Sequence, residues 1–297
     1  MIRKYALGAA CALFVSFAAG TASAASNPMG VAFGSTTNVS LYGKPTGLLV
    51  TGRCNVYSTA FSSARKKGAE ILRYLNAVER PNNQICALDT SFYMNKLSAV
   101  PLWPYPRYGT RVNYYSGKMT DMRPGSKWVL WVVSYVEKLM REGKVDGVFL
   151  DTVGARPWSK LTNYSGWSAA EKNAWTDGNV DLVRRLDAKR RAINPYFLIV
   201  NNNVWDRGDS RGLPGEKYVD GVMLEHASYY SKWHRAYAAK KFGNLGQRRV
   251  LVIANSTAEA RSWAKLPGIT HVSNQTNAQY KHPTVPVVPF NYLGDRN

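Results

Sequence analysis

Val145-Asp146-Gly147-Val148-Phe149-Leu150-Asp151 is answered 74 residues later by Val219-Asp220-Gly221-Val222-Met223-Leu224-Glu225. Each copy opens on a Val-Asp-Gly turn, runs through a short apolar stretch and stops at a carboxylate. Apolar runs of this length, preceded by helix-like segments, fit buried parallel strands. A separation of 74 residues corresponds to about two strand-helix units of a (β/α)₈ barrel, which takes roughly 250 residues for eight. Alternate strands of such a barrel fill the same layers, so two strands apart means the same height and facing. Asp151 and Glu225 are therefore expected to look together into the barrel mouth. Asp146 and Asp220 precede their strands and read as turn residues of the Asp-Gly type.

The rest of the chain follows the same plan. Apolar runs at residues 47–53, 70–75, 111–112, 145–150, 196–200, 219–224, 250–254 and 269–273 make eight strand candidates, nearly all ending in a polar side chain. Amphipathic segments at 60–67, 127–142, 169–193, 229–242 and 258–265 lie between them. Ser126 is placed to cap the second and Gly143 to end it, while Asn194-Pro195 closes the third. This alternation argues for an α/β fold with a parallel sheet closed as a TIM barrel. Residues 79–109 are rich in proline and aromatics without a helical pattern, which predicts an irregular second crossover over the barrel mouth. After Gln275, Pro283, Pro286 and Pro289 point to a modified C-terminal end with no final helix.

The chain begins with a basic start (Arg3, Lys4), an apolar stretch and Ala22-Ser23-Ala24, the form of a secretory signal cleaved after Ala24. Residues 1–24 are thus read as signal peptide and 25–297 as one domain, of a size suited to a single core. No later stretch reaches the roughly 20 apolar residues of a membrane helix. Cys11 falls within the signal, leaving Cys54 and Cys86, which an exporting compartment would pair. Loss of Arg3 and Lys4 takes the formal charge from +20 to +18. Such a charge suits either a solvated outer ring of basic helix residues or attraction to a polyanion, and export argues against nucleic acid.

Two carboxylates facing each other across a pocket are what glycosidic cleavage needs, one protonating the leaving oxygen while the other attacks or activates water. Asn76, Asn201, Asn203, Asn255 and Asn274 at run ends could hold sugar hydroxyls, and Trp103, Trp158, Trp205 and Tyr229 could stack on pyranose faces. Asp121 either orients a catalytic group or pairs with Arg123. The four histidines form no metal-spaced cluster, and no G-x-S-x-G elbow, Walker loop or dinucleotide fingerprint occurs, so no cofactor or metal is expected. A non-catalytic polysaccharide-binding barrel and a cationic wall-associated protein are the alternatives.

The run Gly143-Lys144-Val145-Asp146-Gly147-Val148-Phe149-Leu150-Asp151, the upstream Asp121-x-Arg-Pro, Tyr74-Leu75-Asn76 and the late acid Glu225 together resemble the secreted glycoside hydrolases of the endo-polygalactosaminidase and spherulin-like group. The resemblance implies a TIM barrel that hydrolyses an exopolysaccharide, with Asp151 as nucleophile or stabiliser and Glu225 as proton donor. It adds Tyr74 to the substrate-binding candidates. Some substrates of that group are cationic amino-sugar polymers, which a chain of charge +18 should repel, so a neutral or acidic polysaccharide is expected as partner of a monomer.

Overall fold

The computed structural model describes residues 27–32, 39, 43, 45, 47–52, 55–80, 104, 113–114, 117–157, 164–202, 205, 214–224, 249–254, 256–266 and 269–274. Eight parallel strands close into a barrel: β1 (Asn27–Ala32), β2 (Leu48–Thr51), β3 (Glu70–Asn76), β7 (Gly147–Asp151), β8 (Leu198–Asn201), β9 (Gly221–Leu224), β10 (Arg249–Ala254) and β11 (His271–Asn274). The order round the barrel is β1-β2-β3-β7-β8-β9-β10-β11, with β11 returning to β1. Three short strands, β4 (Glu79–Arg80), β5 (Asn113–Tyr114) and β6 (Gly117–Met119), form a separate antiparallel sheet between β3 and β7. Helices α1 (Thr59–Lys66), α2 (Lys127–Glu142), α3 (Ala169–Ile193) and α4 (Thr257–Ala264) cover the outside.

The barrel departs from the sequence reading in one strand. The run at 111–112 lies outside the described residues, and its neighbours Asn113 and Tyr114 belong to the small antiparallel sheet. The eighth barrel strand is β1, Asn-Pro-Met-Gly-Val-Ala, whose Pro28 and Gly30 weaken a strand pattern. Both residues are accommodated by its neighbours, since Pro28 pairs with Val272 and Gly30 with Leu49. Of the segment 79–109 read as an irregular loop, Glu79 and Arg80 form β4, paired with β6, and residues 81–103 and 105–109 lie outside the described residues. The predicted helix at 229–242 and the chain after Asn274 lie outside the described residues.

Helices α2 and α3 match their sequence boundaries because their ends are chemically marked. Ser126 accepts from Val129 N at 3.1 Å, and Gly143 ends α2 in the left-handed region at φ 61°. Ser168 and Glu171 form a reciprocal capping box at the start of α3. Strand alternation divides the apolar residues into an inner and an outer set. Met29, Val31, Leu48, Val50, Leu72, Phe149, Val200, Met223, Leu251 and Ile253 fill the barrel, while Ile71, Val148, Leu150 and Ile199 pack outward with the helices.

The duplicated motif has a structural explanation. Asp146 Oδ2 accepts from Ile71 N at 2.9 Å and its own N–H donates to Ile71 O at 2.8 Å. Asp220 does the same to Ile199, at 2.8 and 2.7 Å. Each aspartate thus clasps the strand before it, and each is held by a helix arginine, Arg65 or Arg190. A Cβ at Gly147 would overlap Leu198 O, and one at Gly221 would overlap Arg249 O. At the starts of β7 and β9 the Asp-Gly pair thus supplies both the clasp and the close approach.

Followed once round the barrel, the paired residues return to β1 displaced by eight positions, the shear of the TIM barrel. Strand tilt then sets equal heights about one residue apart per strand. Phe149 pairs with Val200 and Val200 with Gly221, so the β9 residue at the height of Phe149 is Met223, two positions beyond the lateral partner. Both point into the barrel. At the opposite end the barrel floor is crossed by an ion pair between Glu70 of β3 and Arg249 of β10, four strands apart in either direction.

Candidate active site

Asp151 is the last residue of β7 and continues the inward alternation set by Phe149, which places its carboxyl at the C-terminal mouth, where TIM barrels carry their chemistry. Tyr74 of β3 donates its hydroxyl to Asp151 Oδ2 at 2.5 Å. Asn202, just past β8, donates through Nδ2 to Oδ1. The orientation of that amide is fixed by chemistry, because its Oδ1 receives the Thr152 backbone N–H at 2.6 Å and a backbone N–H can only donate. Burial pushes the Asp151 carboxyl above the usual carboxylate range, opposed by hydrogen bonds from Tyr74, Asn202 and the Thr152 backbone.

The backbone beside the carboxylate is strained. Thr152 sits at φ 65°, among the described residues the one non-glycine in the left-handed region, and it is β-branched. Its hydroxyl lies 2.6 Å from Asp151 O and 3.2 Å from Asn76 Oδ1. The following loop is pinned at consecutive residues. Asn201 Nδ2 donates to Val153 O at 2.8 Å, Gly154 N donates to Asn179 Oδ1 at 3.4 Å, and Thr176 Oγ1 donates to Ala155 O at 3.0 Å. Helix α3 and the end of β8 therefore hold the turn that presents Asp151.

The predicted binding residues separate into three groups. Tyr74 and Asn76 surround Asp151, and Asn76 is its lateral partner on β3. Asn201, Trp205 and Asp121 have other tasks. Asn201 is fully buried on the outer face of β8, because the inward positions there are Val200 and, by alternation, Asn202. Trp205 is 1 % exposed in the outer core against Gly215, so it offers no open stacking face. Asp121 is buried and gives both oxygens to Arg123, at 2.9 and 2.7 Å, while its carbonyl accepts from Ser126 Oγ at 2.5 Å. Of the two roles open to Asp121, the pairing with Arg123 is the one observed. Glu225, Asn203, Asn255, Trp103, Trp158, Tyr229, Cys54 and Cys86 lie outside the described residues, as does the side chain of Asn274.

Asn202 was missed by the sequence reading, which took Asn201 and Asn203 on either side of it. The signal was available in the period of two. Counting inward positions from Val200, as Phe149 leads to Asp151, leads to residue 202.

The basic residues of α3 at 184–191 are paired where they stand. Arg184 and Arg185 pair with Asp181, Lys189 with Glu137, Arg190 with Asp187 and Asp220, and Arg191 with Asp187. They belong to the outer ring. Among the described residues no group of three or more His, Cys, Asp and Glu could hold a metal, and no helix is long and apolar enough to cross a membrane.

By sequence, no family model and no curated protein matches the chain. By structure, it is similar to the glycoside hydrolase domain of PelA from Pseudomonas aeruginosa, with TM-score 0.54 and 14% identity over 85% of this chain and 95% of that one. The chain shares the barrel fold of that domain. A mutant of Kfla1895 in complex with isomaltose gives TM-score 0.52 at 10% identity, over 85% of this chain and 42% of that one. The uncharacterized protein lmo2446 from Listeria monocytogenes EGD-e gives 0.51 at 14% identity, over 92% of this chain and 30% of that one.

Proposed function

We propose that this protein is an exported glycoside hydrolase that cleaves a neutral or acidic polysaccharide with Asp151 and Glu225 as its two carboxylates. The observation that carries the reading is the surrounding of Asp151. A carboxyl group at the mouth of a glycoside-hydrolase-type barrel faces three donors, the Tyr74 hydroxyl, the Asn202 amide and the Thr152 N–H. Burial raises this acid and the three donors oppose the rise, so they favour the anion that a nucleophile or the stabiliser of an oxocarbenium-like transition state requires. Glu225 then supplies the proton to the leaving oxygen. Met223, two positions before it, already points into the barrel at the height of Phe149, and the alternation continued would bring Glu225 to the height of Asp151.

Export rests on the N-terminal pattern and on β1, which opens at Asn27, shortly after the cleavage site read at Ala24. A Cys54 to Cys86 bridge in that compartment would stabilise by about 3 to 4 kcal/mol on the chain-entropy model. The test is a polysaccharide panel scored by release of reducing ends. Wild type should release them from at least one substrate, and Asp151→Asn and Glu225→Gln should each lose at least about a thousandfold. Full activity in either variant rejects the pair, and binding without release in wild type makes the protein a carbohydrate-binding barrel.

A further inference from the structure

We infer that Asn202 is the positioning residue of the site, tying the Asp151 carboxylate to the strained backbone of Thr152 so that both are set by one side chain. The inference rests on the reading of Asp151 as an ionised catalytic group. Its basis is that the two ends of one amide do different work. Nδ2 donates to Asp151 Oδ1, and Oδ1 accepts the Thr152 N–H at 2.6 Å. A left-handed threonine persists only where its surroundings hold it, and the amide supplies that hold from a different strand of the barrel. With Val153 tied to Asn201 and Gly154 to Asn179, the carboxylate and its loop form one unit.

Among the described residues the groups facing Asp151 are the Tyr74 hydroxyl from β3, the Asn202 amide beyond β8 and the next N–H of its own chain. Tyr74 is the ionisable one. Removing the amide leaves the anion with one donor fewer, which disfavours the charged form, and unties the carboxylate from the Thr152 N–H. Asn202→Asp separates the two ends, since it keeps an acceptor for Thr152 and sets a second carboxyl against Asp151.

The experiment is a ¹³C-carboxyl NMR titration of aspartate-labelled protein, with the Asp151 signal assigned by its loss in Asp151→Asn, and repeated in a Glu225→Gln background to remove the other acid. Asn202→Ala should move the Asp151 midpoint upward by about one pH unit or more, and Asn202→Asp further. The Thr152 amide should exchange rapidly in Asn202→Ala and stay protected in Asn202→Asp. On a cleaved substrate the acid limb of kcat/KM should move upward with the NMR midpoint. Asn202→Asp keeps the shape of the side chain, so it decides the question if the alanine variant does not fold. An unchanged midpoint and an unchanged acid limb overturn the inference, even with a lowered melting temperature. The titration needs no substrate, so a shifted midpoint in a protein that cleaves nothing would reject the hydrolase reading and leave the inference standing.

Discussion

Tyr74 and Asp151 stand on adjacent strands and share a hydrogen bond of 2.5 Å, the phenol donating to the carboxylate at the mouth of the barrel. The ring of Tyr74 lies 6.0 Å from that of Phe149 in the layer below, so its place is set by packing as well as by the bond. Tyr74→Phe should therefore preserve the fold and lose the donor alone. A hydrogen bond to a charged group contributes about 1.5 to 3 kcal/mol, so kcat should fall roughly 10- to 100-fold with a melting temperature close to wild type. Activity equal to wild type would show that the phenol does not serve the carboxylate.

Asp151→Asn should be more stable than wild type at neutral pH. Burial raises the folded-state value of Asp151 above its unfolded value, so its contribution is most favourable below the unfolded value and is lost as pH rises through the folded one. The variant carries no such loss. Thermal melts at pH 7 and pH 4 should show its advantage at the first and a smaller or absent one at the second. A variant less stable than wild type at pH 7 contradicts the sign.

The floor pair supplies a second pH-dependent test. Glu70 is raised by burial and by nearby Asp146, and Arg249 lowers it by charge and hydrogen bond. Arg249→Gln removes the lowering influence and should raise Glu70 further. The variant should lose stability at neutral pH by about 1 to 3 kcal/mol and recover part of it as pH falls below the raised value and Glu70 takes up its proton. Urea unfolding across pH 4 to 8 measures this, and a loss independent of pH would mean that the guanidinium acts by packing.

Gly178→Ala tests the seat of α3. A Cβ at that position would overlap the Met122 carbonyl, so helix and loop must part, at a cost of about 3 kcal/mol or more. Gly143→Ala meets no atom within 4 Å and is strained only by φ 61°, which should cost about 1 kcal/mol. Chemical denaturation ranks the two, and equal losses would contradict the close contact at Gly178.

Much of the fold could be read from the chain because its markers are local. Ser126 and Gly143 bound α2, and Asn194-Pro195 closes α3, since capping depends on side chains within a turn of the helix end. The repeated Val-Asp-Gly located β7 and β9 because two strands entering the same barrel meet the same close neighbours. β1 escaped notice because Pro28 and Gly30 carry no strand signal, and its pairing to β2 and β11 is what makes it one. Asn202 was legible only by carrying the period of two from Val200 past the end of β8 into a run of three asparagines, where no apolar residue marks the inward face. A loop tryptophan such as Trp205 looks the same in sequence whether it meets a sugar or the outer core.

The sequence by itself determined the kind of architecture and the strand end that carries Asp151, because hydrophobic period, caps and a duplicated motif are properties of neighbouring residues. The tertiary structure decided which polar side chains serve that carboxylate. Tyr74 and Asn202 come to Asp151 from the two strands that flank β7, and Thr152 from a strained turn; pairing of those strands, which are far apart in the chain, is the physical event that brings the groups together.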